Sequence, residues 1–313
     1  MNKDARILVA GAGGLVGAAI CRTLAARGFS RILSPARSAL DLRDRTAVER
    51  FFAAERPEYV FMAAAKVGGI VANETYPADF IRDNLEIQTN LIDAAYRHGT
   101  RKFCFLGSSC IYPRLAKQPL QESSLLTGPL EPTNQWYAVA KIAGIKMCQA
   151  YARQYGFNAI SVMPTNLYGP GDNFDLQTSH VLPALLRKFH TAKENGESQV
   201  TAWGSGTPRR EFLYVDDLAD ALCFLMERYE SPEIINVGCG EDVTIAELAA
   251  LIGEIVGYRG TVGFDRSKPD GTPRKLLDVR KCNALGWRAT TSLADGIRAT
   301  YAWYLASSAQ RAD

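Results

Sequence analysis

Short apolar runs alternate with longer amphipathic stretches through the first half of the chain. Arg6–Ala10, Arg31–Leu33 and Tyr59–Ala63 are brief and largely apolar, whereas the stretches near Leu15–Arg27 and Arg45–Glu55 space their apolar positions at helical intervals. Brief apolar runs read as buried strands, and the stretches between them are long enough to be crossover helices, so the pattern predicts βα units winding a parallel sheet. It continues with a helix from about Asp79 to His98, a strand Lys102–Leu106, a helix from about Tyr137 to Tyr155 and a strand Asn158–Met163. The fold class expected is α/β, a doubly wound parallel sheet.

The texture changes after Pro164. Thr165–Phe174 is rich in Gly, Pro, Asn and Asp and reads as a loop, and shorter elements follow it. A first unit over residues 1–165 and a smaller C-terminal α/β unit over 166–313 are therefore expected. The two should interleave, because Phe212–Arg228 and Ile234–Val237, within 212–240, still have the helix and strand texture of the first. There is no internal repeat or low-complexity tract.

Composition narrows the picture. A chain of 313 residues with 47% hydrophobic and 22% charged residues matches a globular protein, not a disordered or fibrous one. Lys plus Arg, 36, against Asp plus Glu, 33, leaves +3, which does not by itself indicate a nucleic-acid or membrane partner, so any anion site must be local. No stretch approaches the ~18 apolar residues of a membrane span. The opening MNKDARILVAGAG has no apolar run ending in a cleavage site, so a cytoplasmic location is expected. The cysteines at 21, 104, 110, 148, 223, 239 and 282 form no CxxC pair and have no accompanying His spacing. They are expected to be mostly free, buried thiols, with no metal site and no disulfide framework.

Gly11, Gly14 and Gly17 form GxxGxxG directly after the strand ILVA, at the start of the helix from Leu15. In that context the first glycine permits a tight turn, the second a close backbone approach to pyrophosphate, and the third close helix-to-strand packing, while the helix N-terminus favours the anion. This predicts a Rossmann-type dinucleotide site whose loop runs Gly11, Ala12, Gly13, Gly14, Leu15, Val16, Gly17. About twenty residues further on, an NAD-binding fold usually places an acid for the ribose 2′-hydroxyl. Here the stretch SPARS offers Arg37, which suits a 2′-phosphate, with Asp41, beside Leu42, as the acidic competitor. NADP is favoured over NAD.

Tyr137 and Lys141 form YxxxK within a helical stretch, which puts both on one face a turn apart. A phenol at its reference pKa of ~10 is a poor acid–base group, and a nearby ammonium is expected to bring it closer to useful pH. The strand KFCFL runs into GSSCIYP, placing Leu106, Gly107, Ser108, Ser109 and Cys110 at the C-terminal edge of the sheet, where open α/β folds bind ligands.

With these residues in view the chain resembles the extended short-chain dehydrogenases/reductases, on GxxGxxG, the Ser-then-YxxxK arrangement and PTNLYGP. More closely, AAAKVGGIVANETYPADFI, LGSSCIYPRLAKQP, EPTNQWYAVAKIAGIK, VMPTNLYGPGDNF, SHVLPALLRKFH, WGSGTPRREFLYVDD and SKPDGTPRKLLDV resemble the GDP-L-fucose synthase family over nearly the whole length. That family epimerises C3 and C5 of GDP-4-keto-6-deoxy-D-mannose and then reduces C4 with NADPH. The resemblance implies that Ser108 and Tyr137 bind the C4 carbonyl, that Tyr137 is the proton donor with Lys141 as its electrostatic partner, and that Cys110 and His180 are the epimerisation pair. Pro164, Thr165, Asn166 and Leu167 fall on the nicotinamide side together with Lys141 and His180, and Lys188, Trp203, Arg210 and Asp270 on the GDP-sugar.

The pairs Arg209–Arg210 and Arg274–Lys275 remain open between anion contact and solvated charge. A thiol at ~8.5 needs a neighbouring lysine or imidazolium to ionise. A reductase or single-function epimerase on the same fold, a non-catalytic dinucleotide sensor and an NAD-dependent dehydratase are the rival readings. Retention of Cys110, His180, Ser108, Tyr137 and Lys141 weighs against the first two, and Gln135, Trp136 and Ala138 beside the tyrosine against the third. A homodimer is expected, paired through the helices 79–98 and 137–155.

Overall fold

In the computed structural model, which describes residues 1–268 and 270–309, six parallel strands form one sheet. Their spatial order is Ile235–Val237, Ala159–Pro164, Lys102–Leu106, Tyr59–Met62, Ile7–Ala10 and Ile32–Leu33. Pro269, within one of the stretches that carry the family resemblance, and residues 310–313 of the expected second unit lie outside the described residues.

Burial on both faces explains the continuous apolar runs. Along Ile7–Ala10 every residue is buried, and the side chains alternate between two cores. Leu8 and Ala10 join Phe52, Leu91, Ile92 and Ile145, under the helices Arg45–Glu55, Pro77–Arg97 and Gln135–Tyr155. Ile7 and Val9 join Ile20, Leu24, Leu218 and Leu222, under Leu15–Ala26 and Val215–Arg228. Pro77–Arg97 and Gln135–Tyr155 also lock to each other: Gln88 Nε2 donates to the Ala140 carbonyl at 2.7 Å, and Tyr151 Oη to Asp93 at 2.9 Å.

After Ile7–Ala10 the chain moves to one neighbouring strand and then back across to the other. The C-terminal ends of Ile7–Ala10 and Tyr59–Met62 therefore flank a topological switch point, where a crevice opens.

A third core of Leu182, Leu186, Phe189, Leu248 and Ile252 lies beneath the helices Val181–Glu194 and Ile245–Val256. It is edged by short strands: Gln199–Trp203 pairs with Thr261–Asp265, and Arg209–Arg210 lies between Val243–Thr244 and Arg274–Lys275. Two sequence readings are corrected. The stretch Thr165–Phe174 is not all loop, because Asn166–Tyr168 forms a strand parallel to Phe212–Tyr214. Phe212–Tyr214 is thus strand rather than the start of a helix, which begins only at Val215. Ile235–Val237 does join the large sheet, beside Ala159–Pro164.

All seven cysteines are free: Cys104, Cys148, Cys223 and Cys282 are buried, Cys21 and Cys110 half-buried, and Cys239 exposed. No helix among the described residues is long and apolar enough to cross a membrane.

Candidate active site

A single cleft of about 1380 Å³ runs from the glycine loop to the third core, and every site residue picked out from the sequence lines it. At one end Gly11 has φ +87°, and a Cβ there would sit 2.7 Å from the Ala64 nitrogen, just past the end of the neighbouring strand Tyr59–Met62. A Cβ on Gly17 would strike the Gly11 carbonyl, so helix and strand touch through bare backbone. The helix Leu15–Ala26 has no side-chain cap and no acid in its first turn, which leaves its N–H groups open to an anion. The loop therefore fits a dinucleotide pyrophosphate.

Arg37 is exposed and makes no ion pair among the described residues. Asp41, its acidic competitor, is held by Arg43 through Nε–Oδ1 at 3.0 Å and Nη2–Oδ2 at 2.7 Å, a fork that lowers its carboxyl to about 2. Arg43, which the sequence reading passed over, thus occupies the carboxylate a ribose hydroxyl would need.

The strand Lys102–Leu106 ends at the cleft floor. Ser108 opens a short helical turn, Ser109–Ile111, and its Oγ accepts the Cys110 N–H at 3.2 Å. Tyr137 and Lys141 stand on the first turns of Gln135–Tyr155. Lys141 is 2% exposed; its Nζ donates to the Leu106 carbonyl at 2.8 Å and lies 5.7 Å from the Tyr137 ring centroid. Burial lowers this amine to about 7. The expectation that an ammonium would pull the phenol down is corrected. Burial, then the charge of Cys110, raises Tyr137 well above the usual phenol range despite a bond with Ser108, and Lys141 Nζ is engaged by the Leu106 carbonyl.

The opposite holds for Cys110. Burial pushes the thiol up, but Lys275, Ser108 and Arg210 together outweigh it and hold it below the ordinary range. Lys275 Nζ is 3.3 Å from Sγ, and Asn134 Nδ2 donates to Sγ at 3.4 Å. His180 precedes Val181–Glu194 as its N-cap, with its side chain free of any capping bond. His180 is solvent-exposed at the cleft rim, and desolvation by the surrounding cleft walls, then the charge of Lys275, lowers its imidazole.

Strand alternation settles the paired basic residues. Arg274 lies opposite Arg209, and Lys275 opposite Arg210. Successive side chains on a strand point to opposite faces, so Arg209 and Arg274 turn away together to share Asp242, while Arg210 and Lys275 line the cleft together. Among the described residues Arg210 hydrogen-bonds only carbonyls, of Arg209 at 2.9 Å and Asp270 at 3.2 Å, so its charge is open to the cleft. The buried Glu211 carboxylate accepts the N–H groups of Gly240 at 2.7 Å and Leu277 at 2.9 Å. Its carbonyl accepts Asn166 Nδ2 at 2.7 Å and Thr165 Oγ1 at 3.3 Å. That cluster ties the segments carrying Asn166, Arg210 and Lys275 to one another.

At the far end Lys188 Nζ donates to the Thr201 carbonyl at 2.9 Å and stands 5.6 Å from the ring of Trp203, which is 48% exposed. Asp270 holds the turn at Ser205 through its backbone N–H at 2.7 Å and its hydroxyl at 2.8 Å. The cleft thus brings together a glycine loop at a helix N-terminus, the set Ser108, Tyr137 and Lys141, a thiol held below its ordinary range, and an end lined by Lys188 and Arg210.

Three known proteins are similar to this chain over nearly its whole length. A protein of Arabidopsis thaliana named putative GDP-L-fucose synthase 2 is 60% identical over 311 residues, covering 99% of this chain and 95% of its own. The structure of a GDP-L-fucose synthetase from Naegleria fowleri bound to NADP superposes with a TM-score of 0.91 at 32% identity, covering 99% and 95%. That of a GDP-6-OMe-4-keto-L-xylo-heptose reductase from C. jejuni superposes with 0.94 at 38%, covering 98% and 99%. Residues 7–238 match the NAD dependent epimerase/dehydratase family, and the chain belongs to it.

Proposed function

We propose that the protein is a bifunctional GDP-L-fucose synthase, which epimerises C3 and C5 of GDP-4-keto-6-deoxy-D-mannose and then reduces C4 with NADPH. The observation that carries this reading is the Cys110 thiol, held at 3.3 Å by Lys275 in the same cleft as Ser108 and Tyr137. A plain reductase has no use for a carbon base at that place.

Bound NADPH supplies the hydride. Ser108 and Tyr137 hold the C4 oxygen, which acidifies the protons at C3 and C5 because both lie α to the ketone. Cys110, as thiolate, removes such a proton, and His180 returns one to the opposite face. Tyr137, kept protonated by burial, then donates to the C4 oxygen during reduction. Lys141 steadies the ribose and the phenol, with Pro164, Thr165, Asn166 and Leu167 along the nicotinamide side. Arg210 and Lys188 neutralise the substrate pyrophosphate, Trp203 stacks on the sugar or base, and Asp270 shapes the turn beside it.

The same reading assigns residues 1–165, with 212–240, to the cofactor and 166–313 mainly to the GDP-sugar. It places the protein in the cytoplasm as a homodimer paired through Pro77–Arg97 and Gln135–Tyr155, where Trp136, Val139 and Tyr155 are exposed. The test is incubation with GDP-4-keto-6-deoxy-mannose and NADPH, with the product identified by NMR. GDP-L-fucose is expected; a C4 alcohol with C3 and C5 unchanged would leave only the reductase.

A further inference from the structure

Two inversions by one thiol and one imidazole raise a problem of proton supply. Each inversion breaks a C–H bond and forms S–H on Cys110, while an N–H bond of His180 breaks and a C–H bond forms on the other face. The pair ends in the wrong state for the next inversion, thiol and neutral imidazole. Before the second carbon can react, the sulfur must lose a proton and the imidazole nitrogen must regain one.

The groups around Cys110 narrow the route. Asn134 and Lys275 lie within hydrogen-bond distance of the sulfur, the Ser108 hydroxyl bonds the same thiol, and the Arg210 charge acts on it. An amide and a hydroxyl do not carry an extra proton near neutral pH, and a guanidinium does not release one. Lys275 alone of these four can do both. It lines the substrate cleft with His180, and its charge acts on both Cys110 and His180. Lys275 and Cys110 also border a second cavity of about 30 Å³, lined in addition by Glu131, Arg114 and Arg274, with room for about one water.

We propose that Lys275 returns the proton from Cys110 to His180 between the two inversions. The ammonium gives a proton to the imidazole through cleft water, and the resulting amine takes the proton of the thiol. One N–H bond and the S–H bond break, and two N–H bonds form. The site is left with thiolate, ammonium and imidazolium, as it began. This proposal rests on the reading of Cys110 and His180 as the carbon base and acid.

Its test is deuterium incorporation from D₂O into the GDP-keto-sugar without NADPH, with label counted by mass spectrometry and located by NMR. The native enzyme should label C3 and C5 together within one encounter. Lys275→Arg keeps the charge beside the thiol but cannot pass a proton on, so singly labelled sugar should accumulate, with the second exchange slowed roughly 10²-fold. Lys275→Ala should lose both exchanges, and added ammonia or methylamine should restore double labelling. NADPH binding by each variant, followed by fluorescence, checks the fold. A native ratio of singly to doubly labelled sugar in Lys275→Arg would overturn the proposal and assign the return to water in the small cavity. Failure of amines to restore Lys275→Ala would also overturn it. Label at C3 and C5 in a parallel Cys110→Ala protein would instead defeat the underlying assignment of the base, whatever Lys275 does.

Discussion

Cofactor choice offers a sharp test, because the structure sets two arginines and one aspartate against each other at the rim of the glycine loop. Arg37 is exposed and unpaired among the described residues, while Asp41 is gripped by Arg43 at 3.0 and 2.7 Å. A guanidinium on a 2′-phosphate falls between an exposed ion pair and a fully formed charge-assisted bond, about 1–2 kcal/mol, or roughly 5–30-fold in affinity. Arg37→Ala should weaken NADPH by that factor and leave NADH unchanged. Arg43→Ala should act differently. It frees the Asp41 carboxylate, which then repels the phosphate and accepts the 2′-hydroxyl, so NADPH weakens while NADH strengthens. Fluorescence titration of both cofactors with both variants and the double variant measures this, and the Arg37 effect should shrink as salt is raised. Equal binding of NADPH and NADH before and after Arg37→Ala, or no gain of NADH in Arg43→Ala, would refute the reasoning.

Other expectations follow from the catalytic floor. Tyr137→Phe should cut C4 reduction roughly 10²–10⁴-fold, measured as NADPH consumption, with cofactor binding retained. Cys110→Ala should abolish deuterium uptake at C3 and C5 yet still reduce a pre-epimerised ketone, and His180→Gln should impair uptake similarly; native exchange in either variant would remove that residue from the carbon chemistry. Because Lys141 is lowered to about 7 by burial, its buried charge penalises the folded state fully below about pH 7, and the penalty fades as pH rises towards the unfolded value near ~10.4. Lys141→Met should therefore raise the neutral-pH Tm of the ligand-free protein by a few degrees while abolishing reduction, and the gain should vanish at alkaline pH.

Features carried by neighbours in sequence were legible without coordinates. The βα alternation, GxxGxxG between Ala10 and the helix from Leu15, and YxxxK one turn apart depend on local periodicity and backbone geometry, which the order of residues dictates directly. The family resemblance extended that reading to Cys110, His180 and the GDP-sugar contacts. Pairing across distance was not legible. Asn166–Tyr168 is a strand only because Phe212–Tyr214 lies beside it, and a run rich in turn formers gives no local sign of such a partner.

The same limit hid Lys275, 165 residues from the cysteine it serves. In sequence, Arg209–Arg210 and Arg274–Lys275 are equivalent pairs of cations. Once their strands align in register, alternation sends one member of each pair to Asp242 and the other to the cleft. Burial likewise raised Tyr137, against the lowering expected from the lysine that spacing placed one turn away. The sequence by itself determined the βα elements of the large sheet, the cofactor loop and the chemical groups. Tertiary structure decided which charges meet which acids and bases, because strand register and desolvation are set by residues remote in the chain.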